Sequence, residues 1–505
     1  MKKRIIIIGG GIAGLSSGIY AQMNGYETEI FEMHSLPGGL CTSWKRGEFT
    51  IDGCIHWLVG SAGNMKLNGY LNEVGALKDR TFVYQEIFTI IETAHPDDPR
   101  DKRNIIFYSD AERLCDHLKA IAPEDSAEID NFTSLIRKFS TFDFASDKPA
   151  ELMGFSDFMR MMKSMKPYMS EFNKYSKLTI KDYSLRFNNP HLRQAICQVL
   201  NMPDFAFLPL VMSLGWIHAK SAGYPIGGSL DFSRSIEKKY LSLGGVIHYK
   251  SNVEKILVER NRATGIRLTD KSEYRADLVI SAADGYSTIF RMLAGRFVNK
   301  KIRNNYETLP LFQPLFVLSL GVKRDLSKEP HAVLADIRIL ERPIHVENTT
   351  HTKIGIKHFC YDPTVAPKGK SVIEIMYTSD YHYWKDLYSN PPAYKAEKER
   401  VANTLIDALE QFLPGIRNDI EMTDTATPVT FERYTGNRLG TFEGWMVTPK
   451  TMMMTMKKTL PGLKNFYMTG QWVQPGGGVS TSLKSGRDLV YLLCHKDRKF
   501  FTVQS

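Results

Sequence analysis

Three features of this 505-residue chain predict an α/β fold organised around a buried parallel sheet. Ile5-Ile6-Ile7-Ile8 is fully apolar and β-branched, the pattern of a strand covered on both faces. It feeds a glycine-rich turn, Gly9-Gly10-Gly11-Ile12-Ala13-Gly14, after which Ile12, Leu15 and Ile19 recur at helical spacing. A second strand-like run, Thr28 to Glu32, completes a β-α-β unit of about thirty residues.

The remaining elements follow in order. Gly25 is placed to cap the first helix at its C-terminus. Around the charged turn His95-Pro96-Asp97-Asp98-Pro99-Arg100-Asp101 lie two strand-like runs. A helical stretch rich in methionine follows: Met153, Met159, Met161, Met162, Met165 and Met169. Such a segment suits ordinary core, the wall of a lipophilic site, or a membrane-touching helix aided by Arg160, Lys163 and Lys166. Beyond residue 215 the α/β pattern returns: a helix over Ile236 to Leu243, a turn at Gly244-Gly245, and a strand over Val246 to Tyr249. A hairpin pair over Val253 to Glu259 and Gly265 to Leu268 precedes the apolar strand Leu278-Val279-Ile280. Residues 296–454 are mixed and aromatic-rich. The chain closes with Phe466-Tyr467-Met468, a Gly-rich turn and a helix from Val479 to Leu493.

The length suits two or three domains. An apolar fraction of 43% and a charged fraction of 24% exclude disordered and collagen-like chains. Six cysteines are scattered singly, which argues for free thiols in a reducing compartment and against a zinc site. The short N-terminal apolar run has no cleavage-type site, and no stretch approaches the roughly 18 apolar residues of a membrane span. A cytoplasmic protein is expected, with peripheral contact at the inner face of the membrane. The net charge of +10 suits an anionic membrane surface or acidic substrates. The positive charges are dispersed and no nucleic-acid-binding module is present, so no nucleic-acid partner is expected.

The glycine turn carries the strongest chemical signal. In Gly9-x-Gly11-x-x-Gly14 the first glycine makes the tight turn, the second admits a pyrophosphate to the backbone, and the third permits close helix–strand packing. The helix N-terminus adds free N–H donors and a partial positive charge. Glu32, eighteen positions after Gly14, is set to accept hydrogen bonds from ribose hydroxyls, and its charge disfavours a 2′-phosphate. This is a Rossmann-like dinucleotide fingerprint, open to FAD or NAD. Two further features favour a flavin. Gly38-Gly39 forms a second close-approach turn. Gly470-Gln471 and Pro475-Gly476-Gly477-Gly478 precede a helix beginning near Val479, Ser480 and Thr481, whose N-terminus suits the negative charge of a reduced isoalloxazine.

At these residues the sequence resembles the FAD-dependent phytoene desaturase, carotenoid isomerase and retinol saturase family, within the flavin amine oxidase-like superfamily. Besides the two glycine-rich ends, the resemblance is carried by Phe49-Thr50-Ile51-Asp52-Gly53-Cys54-Ile55-His56-Trp57, Tyr224-Pro225-x-Gly227-Gly228 and Ser281-Ala282-Ala283-Asp284. It implies a discontinuous FAD-binding domain over 1–75, 215–295 and 455–505. An interleaved substrate domain, α+β in character, would cover 76–214 and 296–454. It further implies that Gly9, Gly11, Gly14 and Glu32, with Ile12 and Ala13 in the same turn, hold the ADP part of a non-covalent FAD. Val253 would meet the adenine. Gly38, Gly39, Leu40, Gly470, Gly477, Val479 and Ser480 would line the flavin end. Leu40 departs from the pattern, since many relatives carry Arg there.

The expected activity is desaturation or saturation of C–C/C=C bonds in a carotenoid-, retinoid- or fatty-acid-like substrate. Double-bond isomerisation, amine oxidation and non-enzymatic escort of lipid-bearing GTPases are the alternatives. His56 is the candidate catalytic residue, because an imidazole can shuttle protons near neutral pH. Arg433 and Tyr434 are candidates for the substrate mouth. His218 and Asp284 are expected to maintain the fold. No second dinucleotide fingerprint is present, so the electron partner is left open.

Overall fold

The computed structural model describes residues 2–503. Its central sheet is five parallel strands: β1 (Arg4–Ile8), β2 (Glu27–Phe31), β3 (Val246–His248), β4 (Leu278–Ser281) and β5 (Phe466–Met468), in the order β3-β2-β1-β4-β5. Ile5 to Ile8 pair with Thr28 to Phe31 on one side and Leu278 to Ser281 on the other. All four isoleucines are buried, as a continuous apolar run between two covered faces requires.

Helix α1 (Ile12–Met23) packs between α2 (Gly228–Ser242) and α3 (Val479–Lys496). Small residues permit the close approach. A Cβ at Gly18 would lie 2.5 Å from the Tyr240 ring, and one at Gly486 would lie 2.1 Å from Ser16 Oγ. Gly25, in the left-handed region, ends α1 by donating to the Gln22 carbonyl.

The second large sheet has seven strands, ordered Ile420–Ala426, Leu315–Val322, Ser371–Thr378, Thr349–His358, Asp336–Val346, Ile87–Ala94 and Lys102–Tyr108. Its pairings are antiparallel except that between Asp336–Val346 and Ile87–Ala94. One face packs on the helix Pro391–Leu409 through residues such as Leu318, Ile375, Leu405 and Leu409. The five-stranded sheet thus draws on residues up to 31, on 246–281 and on 466–468, while the seven-stranded sheet draws on 87–108 and 315–426. A small sheet of Leu58–Val59, Ala222–Pro225 and Phe82–Val83 is formed where the two systems meet.

The Met-rich segment forms the helix Phe155–Met165, which has no buried side chain. Phe155 is 81% exposed, Phe158 48% and Met159 51%. Among the described residues no helix is long and apolar enough to cross a membrane.

Candidate functional site: a cleft at two helix N-termini

The carboxyl ends of β1, β2 and β4 open onto one cleft, where ligands bind in open α/β sheets. The turn after β1 is shaped by contact. Gly9 N–H donates to the Phe31 carbonyl at 2.9 Å, and a Cβ at Gly14 would lie 2.0 Å from the Gly9 carbonyl oxygen. Glu32, just past β2, accepts the N–H groups of Gly10 at 2.6 Å and His34 at 2.7 Å. Burial pushes its carboxyl up, and those backbone donors offset part of the effect.

The paired glycines form the next wall. Gly38 N–H donates to the Gly10 carbonyl at 2.9 Å, and its φ of 105° needs glycine. At the far end Gly470 N–H donates to Ser485 Oγ at 3.0 Å, which ties the end of β5 to α3. Both α1 and α3 therefore begin at the cleft, through Gly11 and Ile12 and through Gly478 and Val479. Their unpaired N–H groups make two anion-binding ends along one groove.

Of the residues singled out from sequence, Gly9, Gly11, Ile12, Ala13, Glu32, Gly38, Gly39, Leu40, Val253, Gly470 and Val479 line this cleft. Gly14 stands behind it, in the helix–strand contact. Gly477 lies against Glu443, whose Cδ would be 2.6 Å from an added Cβ. Ser480 points away: it is buried and its hydroxyl donates to the Val59 carbonyl at 2.6 Å. Leu40 adds an apolar side chain, and no Lys, Arg or His is among the described residues lining the cleft.

His56 is not brought to the cleft. It borders a separate small cavity with Tyr84, Gln85 and Tyr224. Its Nδ1 lies against the Lys357 ammonium, itself a direct cross-strand neighbour of Glu374. Burial first, and the Lys357 charge second, hold the imidazole well below its usual range, so it is neutral at pH 7. Asp52 completes the surrounding network. It accepts from Ser229 through both hydroxyl and N–H, and from Tyr224 Oη at 3.0 Å. Sequence patterning did not reveal this cluster, because Lys357, Glu374 and Asp52 sit in strand-like runs as isolated charges.

Arg433 and Tyr434 lie at the Glu32 end: the Arg433 guanidinium donates to Tyr434 Oη at 2.8 Å, and the Tyr434 ring meets His34 edge-on at 5.1 Å. His218 Nδ1 accepts the Ala111 N–H at the start of the helix Ala111–Ile121. Asp284 lines the cleft but accepts the N–H groups of Ser287 at 2.6 Å and Arg438 at 3.0 Å. Cys41, Cys54, Phe442 and Glu443 also line it, and of these Phe442 and Glu443 had no sequence signal at all.

The model of the "flavin containing amine oxidoreductase" family matches residues 12–491. The chain belongs to that family. Relatives include a chloroplastic prolycopene isomerase of Arabidopsis thaliana, 26% identical over 95% of this chain and 81% of the relative. A 4,4'-diapophytoene desaturase of Methylomonas sp is 23% identical over 99% and 96%. An all-trans-retinol 13,14-reductase of Danio rerio is 21% identical over 92% and 82%. A crystal structure of an oxidoreductase from Methanosarcina mazei superposes with a TM-score of 0.60 at 17% identity, covering 96% of this chain and 99% of that one, a likeness of fold.

The cofactor of this flavin family is FAD, and the donor set suits it. Two helix N-termini on the cleft would suit the two places where that molecule carries negative charge, the pyrophosphate and the reduced ring. Glu32 retains acceptor capacity for a ribose.

Proposed function

We propose that this FAD-dependent oxidoreductase adds or removes hydrogen across a C–C bond of a lipophilic polyene-, retinoid- or fatty-acid-like substrate. The observation that carries the reading is the character of the cleft near Gly470 and Val479. Leu40, Cys41, Cys54 and Phe442 line the same cleft, and among the described residues its lining has no basic side chain. An uncharged, apolar substrate meets such a wall without losing strong hydration. An amine would meet poor anchors, because Glu32 and Asp284 are already engaged by backbone N–H groups and burial pushes the third carboxyl, Glu443, up to about 8, where it is uncharged at neutral pH.

When bound, the flavin supplies hydride transfer at N5. In this reading Gly9, Gly11 and the start of α1 hold the pyrophosphate, Glu32 orients the ribose, and Val253 borders the adenine. Gly38, Gly39, Gly470 and Val479 hold the ring end. The names of the desaturase and reductase relatives support hydrogen transfer in either direction. Isomerisation without net redox is the second reading, favoured by the prolycopene isomerase relative.

The substrate's source is read from the surface. Phe155, Phe158 and Met159 project from a helix that also carries Arg160 and Lys163. The Lys458–Glu151 ion pair, at 2.6 Å, ties the loop bearing the 73%-exposed Met453 to the segment just before that helix. Apolar side chains beside cations suit an anionic lipid surface. The test of the reaction is the mass of the product formed from candidate polyenes by the FAD-loaded protein. A change of two hydrogens supports the first reading, an unchanged mass with altered geometry supports the second, and no conversion of any lipophilic substrate overturns both.

A further inference from the structure

Three carboxyl groups line the cleft, and their surroundings separate them. Glu32 accepts two backbone N–H groups, from Gly10 and His34. Asp284 accepts two, from Ser287 and Arg438. Each is thereby tied into a turn. Glu443, in the loop after the short turn Arg438–Gly440, has no side-chain donor or ion-pair partner among the described residues, and the Gly478 N–H is the backbone donor beside it.

Glycine makes its position possible. The carboxyl rests on the backbone of Gly477 and Gly478, where a Cβ at Gly477 would lie 2.7 Å from Glu443 Oε2. The same loop leads into α3, so Glu443 stands where that helix N-terminus opens onto the cleft.

We propose that Glu443 is the acid–base residue of this cleft, the group that exchanges a proton with the substrate. The assignment rests on the C–C hydrogen-transfer reading and deepens it. In the saturating direction one substrate carbon takes a hydride, both electrons coming from the reduced flavin. The π pair of the C=C bond closes the second C–H bond on the proton held at Glu443 Oε. Glu443 is left as a carboxylate until water returns a proton. Desaturation runs the same step backwards, with the carboxylate accepting the proton.

The surroundings agree with this role. Burial pushes the Glu443 carboxyl up to about 8, so it carries its proton at neutral pH. The titratable groups on the other walls are Glu32, Asp284 and the thiols of Cys41 and Cys54. The Cys54 thiol is held well above its ordinary range by its contact with Cys41 and by burial, so it does not compete as a donor near pH 7. His56, the other proton carrier nearby in sequence, is locked against Lys357.

The test compares the FAD-loaded wild-type protein with Glu443→Gln and Glu443→Asp. Each is titrated from pH 6 to 9.5 by the visible absorbance of bound flavin. Each photoreduced protein is then mixed at pH 7 with a conjugated polyene alcohol and a polyene hydrocarbon. The wild type is expected to show a spectral transition near pH 8 that Glu443→Gln lacks and Glu443→Asp keeps at a shifted pH. Reoxidation should be about 10²-fold slower in Glu443→Gln, with partial recovery in Glu443→Asp. A Glu443→Gln protein with stoichiometric flavin, the wild-type transition and the wild-type rate overturns the assignment. If neither polyene reoxidises the wild-type flavin, the hydrogen-transfer reading fails instead, and the assignment falls with it.

Discussion

The Nδ1 atom of His56 lies against the Nζ atom of Lys357, which also donates to the Val333 carbonyl at 3.0 Å. Burial first, and the charge of the neighbouring ammonium second, keep the imidazole neutral. The pH dependence of stability follows. The unfolded chain protonates His56 near pH 6.5, whereas the folded chain resists protonation to much lower pH. The stability this group contributes is present above about 6.5 and is lost as pH falls below it. His56→Gln should therefore flatten the decline in melting temperature between pH 6.5 and 5 without loss of FAD. An unchanged decline would place the titration elsewhere.

Lys357 balances the buried carboxyls of Glu374 and Asp52, and burial pushes the lysine down and Glu374 up. Lys357→Met should cost about 3–5 kcal/mol, because it leaves buried negative charge without a partner. Replacing Glu374 by Leu in the same chain should recover part of that loss. Urea unfolding of the two single variants and the double variant measures the coupling, and additive losses would show that the pair does not interact.

The glycines of the turn separate two kinds of failure. A Cβ at Gly11 meets the Gly38 carbonyl oxygen at 3.7 Å, an ordinary contact, so Gly11→Ala should fold normally yet retain less FAD. A Cβ at Gly14 would press on the Gly9 carbonyl, so Gly14→Ala should lose about 1–3 kcal/mol of stability. Glu32→Ala should weaken FAD binding about 10- to 100-fold through lost charge-assisted hydrogen bonds. Flavin content after gel filtration, set beside melting temperature, distinguishes these outcomes. Stoichiometric flavin in all three variants would contradict the site.

The exposed helix Phe155–Met165 supplies a surface prediction. Phe155→Ser with Phe158→Ser should change stability by no more than about 0.5 kcal/mol per site. It should lower co-sedimentation with anionic phospholipid vesicles by about 10²-fold, since each inserted side chain is worth about 1.5–3 kcal/mol. Arg160→Glu with Lys163→Glu should weaken vesicle binding at low salt more than at high salt. Equal vesicle binding by all variants would remove this helix from the membrane-facing side.

Much of the nucleotide-binding half was legible because its signals are local. The run Ile5 to Ile8 needs two covered faces, and the glycines after it need a tight turn beside a helix. The strands at Leu278 and Phe466 and the helix at Val479 were equally readable. Of the seven-stranded sheet only the two runs beside the turn at 95–101 were legible, because the rest includes a pairing as distant as Asp336 with Ile90 and strands that bear charges such as Lys357 and Glu374 on buried faces. Ser480 illustrates a local limit: a serine at a helix start reads as a ligand contact, yet its hydroxyl serves Val59. Glu443 illustrates the converse, a lone acidic residue in a loop that gains meaning only where Gly477 and Gly478 fold against it.

The most direct test of the account is the anaerobic fate of the photoreduced flavin when a lipophilic polyene is added. The purified protein should show the visible bands of bound FAD, bleach on photoreduction, and recover its bands on addition of a polyene that gains two hydrogens. A protein that binds no FAD after reconstitution, or whose reduced flavin yields neither a hydrogenated nor an isomerised product from any lipophilic polyene, would contradict it.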